Sequence, residues 1–262
     1  MYPILFRLDG LTVYAYGFFL ILGTVIPGTL AILRVRKSDL PISFERAADL
    51  FFYTVLAAII GSRTLFVLVN FDLFRENPFR IINLWEGGLV FYGGFLLAVG
   101  VAIGYMRWHR LPILKLFDLI SPLIGLGLFF GRIGCFLAGC CYGKETSLPW
   151  GVTFTNPDSL ARLNVPLHPT QLYDAFNGLF IFFFLSWLER RKAFDGQIIS
   201  LFILIYSIVR FLIEMLRGDP RGFVFRNLLS TSQGIGILLA ILSIFMLFYL
   251  SRHRLQAKDN RL

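Results

Sequence analysis

The chain has 262 residues, of which 56% are hydrophobic and only 16% are charged, and its formal net charge is +9. Soluble globular domains carry about 25% charged residues, so a soluble protein is excluded, and the high hydrophobicity also excludes intrinsic disorder. Three cysteines are too few for a disulfide scaffold. The composition therefore predicts a polytopic membrane protein.

Seven apolar runs approach the roughly 20 residues that a helix needs to span a bilayer. They cover residues 13–33, 50–69, 89–105, 119–141, 172–188, 198–216 and 234–250. The first run is too long for the core of a signal peptide and follows no basic leader, so we expect it to be retained. We predict an all-α polytopic fold of about seven transmembrane helices, with residues 1–262 as a single integral membrane domain.

Basic residues in the connections predict the orientation, because short cytoplasmic loops are enriched in Lys and Arg. Alternate connections carry 14 basic residues, and the connections on the opposite side carry eight. This bias predicts an N-terminus outside and a C-terminus in the cytoplasm. The positive net charge is then explained by topology and by attraction to anionic lipid, and it does not indicate a nucleic-acid partner.

Three arginines, Arg63, Arg132 and Arg210, lie inside the apolar runs, where each costs roughly 2.5–3.5 kcal/mol at the bilayer centre. Arg63 and Arg132 could snorkel from segment ends or pair with carboxylates, and Glu214 lies one helical turn after Arg210. Apart from Asp174, no other carboxylate is comparably deep, so the arginines outnumber their partners. This favours a positive cavity for an anionic ligand such as a lipid phosphate.

Small residues recur at four-residue spacing around Arg132, at Gly127, Gly131, Cys135 and Gly139. Close helix packing explains such a face. A functional alternative is that bare glycine backbone lets a bulky lipid headgroup approach Arg132 and Cys135.

Two glycine pairs flank the start of the third run, in Glu86-Gly87-Gly88 and Tyr92-Gly93-Gly94. They could form a flexible turn, or a broken helix start that lines a cavity.

The longest connection, residues 142–171, is predicted to be an outward-facing head region, since loops of this length are usually functional or folded. His168 near its end could be a general base or a structural residue that caps the fifth helix. Cys135, Cys140 and Cys141 have no His or fourth Cys at ligand spacing, so we expect no zinc site. A disulfide between neighbouring cysteines stays open.

Four motifs carry a resemblance to a known family. They are the runs 131–139 (GRIGCFLAG), 87–94 (GGLVFYGG), 168–173 (HPTQLY) and 206–214 (YSIVRFLIE). In this order and on a seven-span topology they resemble the bacterial prolipoprotein diacylglyceryl transferases. The likeness extends from Tyr16 and Gly17 to Ser232 and Gln233, which is nearly the whole chain.

The resemblance implies an inner-membrane enzyme that moves diacylglycerol from phosphatidylglycerol to the lipobox cysteine thiol of a prolipoprotein, releasing glycerol phosphate. It implies that Arg132 binds the phospholipid headgroup and that Arg210 is needed for activity. Four further positions match residues around the same site: Tyr16, Gly143, Tyr206 and Glu214. No cofactor or metal is implied.

The chain departs from the family pattern at three positions. Tyr92 stands where the family has His, Cys135 where it commonly has Asn, and Cys140 where it has Glu. The family His is the usual candidate for a base, so the departures leave open which residue, if any, acts as a base. We expect the substrate's own thiol to be the nucleophile, activated by Arg132 and Arg210, with Tyr92 as a hydrogen-bonding group.

Two other functional classes remain alternatives at this point. A transporter or flippase for an anionic lipid or solute would also use membrane arginines and broken helices, but the seven runs show no paired halves. A structural membrane scaffold would leave the arginines in the apolar runs unexplained.

Overall fold

The computed structural model describes residues 1–8, 11–75, 77–83, 87–219, 222–224 and 229–259. Its helices are α1 (Ala15–Arg36), α2 (Phe44–Val69), α3 (Asp72–Arg75), α4 (Phe91–Trp108), α5 (Ile113–Ala138), α6 (Thr170–Glu189), α7 (Gln197–Met215) and α8 (Thr231–Asp259), with a short 3-10 helix at Pro78–Ile81. Three antiparallel strand pairs accompany them: Ile4–Leu8 with Leu11–Tyr14, Val152–Thr153 with Pro166–Leu167, and Phe223–Val224 with Leu229–Ser230.

Within the described ranges, seven helices are long and apolar enough to cross a membrane, namely all except α3. The prediction of an all-α multi-pass membrane protein is confirmed. The fourth run was predicted to extend to Cys141, and this end is wrong, because α5 stops at Ala138. Gly139 and Cys141 adopt left-handed φ values of 81° and 62°, which turn the chain out of the helix.

The chain divides into two compact units. The first comprises Met1–Ala31 and Leu114–Leu262, and the second comprises Ile32–Ile113.

Close glycine contacts pack the helices of the first unit. A Cβ on Gly125 of α5 would lie 2.8 Å from the carbonyl oxygen of Gly178 on α6, so the two backbones meet there. Gly127 meets the carbonyl of Gly23 on α1 at the same distance. In contrast, a Cβ on Gly131 would meet no described heavy atom within 4 Å other than those of its chain neighbours and the nearby backbone of α5. The small-residue face therefore packs helices at Gly127 and leaves open space at Gly131, next to Arg132.

The start of α7 is held by a carboxylate on α5. Asp118 is fully buried, and its oxygens accept hydrogen bonds from the backbone N–H groups of Gly196, Ile198 and Ile199 at 2.8–3.1 Å. The Lys192 ammonium donates to the same carboxylate at 3.0 Å. A carboxylate also suits the positive end of a helix dipole. This contact fixes the position of the helix that carries Arg210.

Residues 139–169 form a small folded segment with its own core. Phe154, Ala161 and Leu167 are buried together in it. The N–H of Leu160 donates to the carbonyl of Ala138 at 3.0 Å, which ties the segment to the end of α5.

In the second unit, α2 and α4 approach closely at glycines. A Cβ on Gly93 would overlap the carbonyl of Gly61, and one on Gly94 would overlap the Ser62 hydroxyl. Because α4 runs unbroken from Phe91 to Trp108, this glycine pair packs two helices and does not break one. Gly87 and Gly88 have left-handed φ values of 76° and 80°, whereas Glu86 lies outside the described residues.

Arg63 on α2 has a role that neither sequence alternative included. The residue is only 7% exposed, so it does not snorkel into water. Its guanidinium donates five hydrogen bonds of 2.5–3.1 Å to backbone carbonyls, those of Arg80, Ile81, Asn83, Gly87 and Gly88. Arg63 therefore organises the connection that leads into α4.

Candidate functional site

Arg132 and Asp174 join α5 to α6 in the first unit. The Arg132 Nη2 lies 3.2 Å from Asp174 Oδ2, and the two side chains are 17% and 3% exposed. Neither Asp174 oxygen has a hydrogen-bond partner among the described residues, so the contact is an ion pair without hydrogen-bond geometry. The guanidinium therefore retains donors that a ligand can use.

Arg210 and Glu214 form the predicted pair one helical turn apart on α7, at 2.6 Å. Both are buried, yet Arg210 Nη1 has no hydrogen-bond partner within the described part of the chain. The Ser207 hydroxyl, three residues earlier on the same helix face, is also buried and equally without a partner there. Sequence reasoning missed Ser207, although its spacing from Arg210 was a usable signal.

The charge balance of the site follows from these pairs. The arginines of the apolar runs outnumber Asp174 and Glu214, as predicted, but the third of them, Arg63, is bound by carbonyls in the second unit. Arg132 and Arg210 each have one carboxylate. The charge of each of these two arginines is therefore balanced by its own carboxylate.

Two tyrosines belong to the surroundings of Arg132. The backbone of Tyr16 packs on α5, since a Cβ on Gly134 would lie 3.3 Å from the Tyr16 Cα. Tyr16 interacts electrostatically with Arg132 and Cys135, and Tyr206 interacts with Arg132. The structure therefore brings Arg132, Asp174, Tyr16, Cys135 and Tyr206 together.

The three cysteines form one cluster. The Sγ atoms of Cys135, Cys140 and Cys141 all lie within 4.8 Å of one another, and all three thiols are free. The Cys140 thiol donates to the carbonyl oxygen of Cys135 at 3.7 Å. The adjacent Cys135 and Cys140 thiols, together with the charges of Arg217 and Arg132, lower the pKa of the Cys141 thiol. The left-handed turn after α5 produces this grouping, which the spacing in the sequence did not indicate.

His168 and Gly143 lie in the folded segment that follows α5. The Nδ1 of His168 is 3.4 Å from the Tyr173 hydroxyl, which also accepts a 2.9 Å hydrogen bond from the Trp150 indole. The backbone of His168 pairs with Lys144 and Gly143. A Cβ on Gly143 would lie 2.5 Å from the Cβ of His168, so this glycine permits a close approach of two chain segments.

Tyr92 lies in the second unit, in the first turn of α4. Its side chain is 43% exposed and packs edge-to-face on Phe91, with ring centroids 5.8 Å apart.

Known proteins that resemble this chain belong to one family. Residues 3–249 match the prolipoprotein diacylglyceryl transferase family. The chain is 38% identical to the phosphatidylglycerol–prolipoprotein diacylglyceryl transferase of Clostridium tetani, over 98% of this chain and 100% of that protein. It is 37% identical to phosphatidylglycerol–prolipoprotein diacylglyceryl transferase 2 of Clostridium perfringens over 91% of each chain, and 33% identical to the enzyme of Coxiella burnetii over 96% of each.

Proposed function

We propose that this chain, which belongs to the prolipoprotein diacylglyceryl transferase family, transfers the diacylglyceryl group of phosphatidylglycerol to the lipobox cysteine thiol of a prolipoprotein. Glycerol phosphate is the leaving group. The observation that carries the proposal is a half-buried and a buried arginine, Arg132 and Arg210, each paired with one carboxylate, with Arg210 Nη1 left without a partner among the described residues, in a bundle of membrane-spanning helices. Such a site suits an anionic lipid headgroup.

The donor phosphate accepts hydrogen bonds from Arg210 Nη1 and the Ser207 hydroxyl, the two buried groups without a partner in the described structure. Arg132 adds a second guanidinium, and its planar fork matches phosphate geometry. The open space at Gly131 gives the headgroup room beside it. Tyr16 and Tyr206 line the same region, whereas Gly143 and Glu214 hold the chain and Arg210 in place.

The reaction is a displacement at the glycerol carbon that bears the phosphate. The acceptor sulfur forms a bond to that carbon, the carbon–oxygen bond breaks, and the phosphate leaves with the electron pair. Fixed cations in a low-dielectric site stabilise the charge that develops on the phosphate. A nearby guanidinium also lowers the pKa of the acceptor thiol. We assign Tyr92 a hydrogen-bonding role, and His168 a structural role in its loop.

We also propose the orientation predicted from the basic residues. The N-terminus faces outside and the C-terminus faces the cytoplasm of a bacterial inner membrane. The segment 142–171 is then an outward-facing region, on the side at which an exported prolipoprotein presents its lipobox.

The test is a transfer assay with the full chain in nanodiscs that contain labelled phosphatidylglycerol. A lipobox peptide should become lipid-modified. Arg132→Lys and Arg210→Lys keep the charge opposite Asp174 and Glu214 but lose the guanidinium fork, so we expect only a small part of the wild-type rate. Lysine is preferable to alanine here, because alanine would leave a buried carboxylate unpaired at a cost of about 3–5 kcal/mol.

The matched control is Arg162→Lys. Arg162 pairs with Glu145 at 2.7 Å, but its side chain is 58% exposed, so we expect an unchanged rate. A folded wild-type protein that does not modify the peptide would overturn the proposed function. Wild-type rates in both Arg132→Lys and Arg210→Lys would overturn the site.

A further inference from the structure

The cysteine cluster has the dimensions of a three-ligand metal site. Zinc binds thiolate sulfur at about 2.3 Å in tetrahedral geometry, which requires Sγ–Sγ separations of about 3.8 Å. The three Sγ atoms lie within 4.8 Å of one another. A small contraction of the cluster would close the site. The sequence spacing suggested no zinc site for want of a fourth ligand, but catalytic zinc sites use three protein ligands and keep one position open.

Two side chains at the start of α6 hold the turn that forms the cluster. Cys141 adopts a φ of 62°, which is disfavoured for a residue with a side chain and persists only where the surroundings impose it. Two fully buried side chains at the start of α6 impose it here. Gln171 Nε2 donates to the carbonyl of Cys140 and Thr170 Oγ1 donates to that of Cys141, both at 2.8 Å. The thiols are therefore preorganised before any ligand binds.

Two cationic side chains lie near the cluster. Arg217 is buried and interacts electrostatically with Cys141, while Arg132 interacts electrostatically with Cys135 and Cys141. Three thiolates and one Zn²⁺ carry one net negative charge, which neighbouring guanidinium groups stabilise. Soft thiolate ligands select zinc or a similarly soft ion over magnesium or calcium.

We propose that Cys135, Cys140 and Cys141 bind a zinc ion whose open fourth position takes the acceptor thiol. This role of the ion rests on the proposed function, whereas the binding of the ion does not. The acceptor thiol displaces a zinc-bound water and releases its proton to solvent, because a coordinating thiol is deprotonated outright. The zinc-bound sulfur then attacks the glycerol carbon, and the phosphate leaves with the electron pair of the broken carbon–oxygen bond. Nothing is oxidised or reduced.

The first measurement is the metal content of the full chain, purified in nanodiscs under reducing conditions and without chelators. We expect one zinc ion per chain in the wild type and none in Cys141→Asn. Asparagine tolerates left-handed φ values, so this variant removes the ligand without disturbing the turn. The matched control is Ser121→Ala, which removes a small buried polar side chain from the same helix far from the cluster and should retain zinc.

The second measurement replaces zinc with cobalt(II). Thiolate-to-cobalt charge-transfer absorption should appear in the wild type and in Ser121→Ala, and should be absent in Cys141→Asn. A metal-free wild type that takes up no cobalt would overturn the proposal. A disulfide within the cluster under reducing conditions, seen as a mass loss of two hydrogens, would overturn it as well, as would zinc retained in Cys141→Asn.

The transfer assay separates this proposal from the proposed function. Removal of zinc from the wild type should lower the transfer rate at least tenfold, and added zinc should restore it. An unchanged rate in zinc-free protein would overturn the catalytic role of the ion and leave the transferase function intact. Bound zinc together with cobalt charge transfer, but without any peptide modification, would support the metal site and overturn the transferase function.

Discussion

Replacement of Asp118 should destabilise the protein more than any exposed carboxylate does. Asp118→Ala removes the acceptor of three backbone N–H groups at the start of α7 and of the Lys192 ammonium. A buried donor without a partner costs about 1–3 kcal/mol. The bonds from Gly196 and Ile198 are fully buried, and water can reach Lys192, so we expect a loss of about 3–5 kcal/mol.

The assay is equilibrium unfolding of the full chain in detergent, followed by tryptophan fluorescence. Asp195→Ala is the matched control, since Asp195 pairs with the same Lys192 but its side chain is 42% exposed. Exposed ion pairs contribute about 0–1 kcal/mol. Equal losses in Asp118→Ala and Asp195→Ala would refute the reasoning, because the exposed ion pair and not the buried helix anchor would then determine stability.

Three further predictions concern the lipid site, the α2 arginine and the base. Gly131→Ala should lower the transfer rate roughly tenfold without loss of stability, because its methyl group occupies the open space beside Arg132; Gly104→Ala, also in open space but on α4, should leave the rate unchanged. Arg63→Lys should lower the melting temperature, because one ammonium cannot satisfy five carbonyls. Tyr92→Phe and His168→Ala should each keep the wild-type shape of the profile of rate against pH; a titration near pH 6–7 that vanishes only in His168→Ala would identify that histidine as a base, worth about 10²–10⁴-fold.

The structural features that could be predicted from the sequence are those formed by residues close together along the chain. Seven spans follow from runs of apolar residues, because the bilayer sets a length that each run meets by itself. The Arg210–Glu214 pair follows from a spacing of one helical turn. Such features need no knowledge of how the helices pack.

Contacts between distant residues were not predictable in the same way. Asp118 precedes the fourth apolar run by one position and was overlooked, yet it anchors α7 through Gly196, 78 residues later in the chain. The donors of Arg63 are satisfied by a connection some 17 to 25 residues further along the chain. Backbone carbonyls are present in every sequence, so no pattern of side chains marks them as partners.

The cysteines show why spacing in the sequence did not indicate that the three thiols lie together. On a continuing helix, five residues correspond to a rotation of about 500°, which would place Cys140 roughly 140° away from Cys135. The chain instead leaves the helix at Gly139, and the left-handed Cys141 directs its thiol back to the other two. A single conformational feature thus converts three unremarkable positions into one cluster.

The pairing of each site arginine with a carboxylate reconciles folding with catalysis. An unpaired guanidinium buried among apolar helices would be costly, and Asp174 and Glu214 remove most of that cost before any lipid arrives. Only interactions that strengthen in the transition state accelerate a reaction. In the proposed reaction, the Arg210 Nη1 and the Ser207 hydroxyl, which have no partner among the described residues, would be such groups, because a departing phosphate carries more negative charge than the bound phosphodiester. The carboxylates would then keep each arginine nearly neutral at rest, and the two unpartnered donors would stabilise the leaving group.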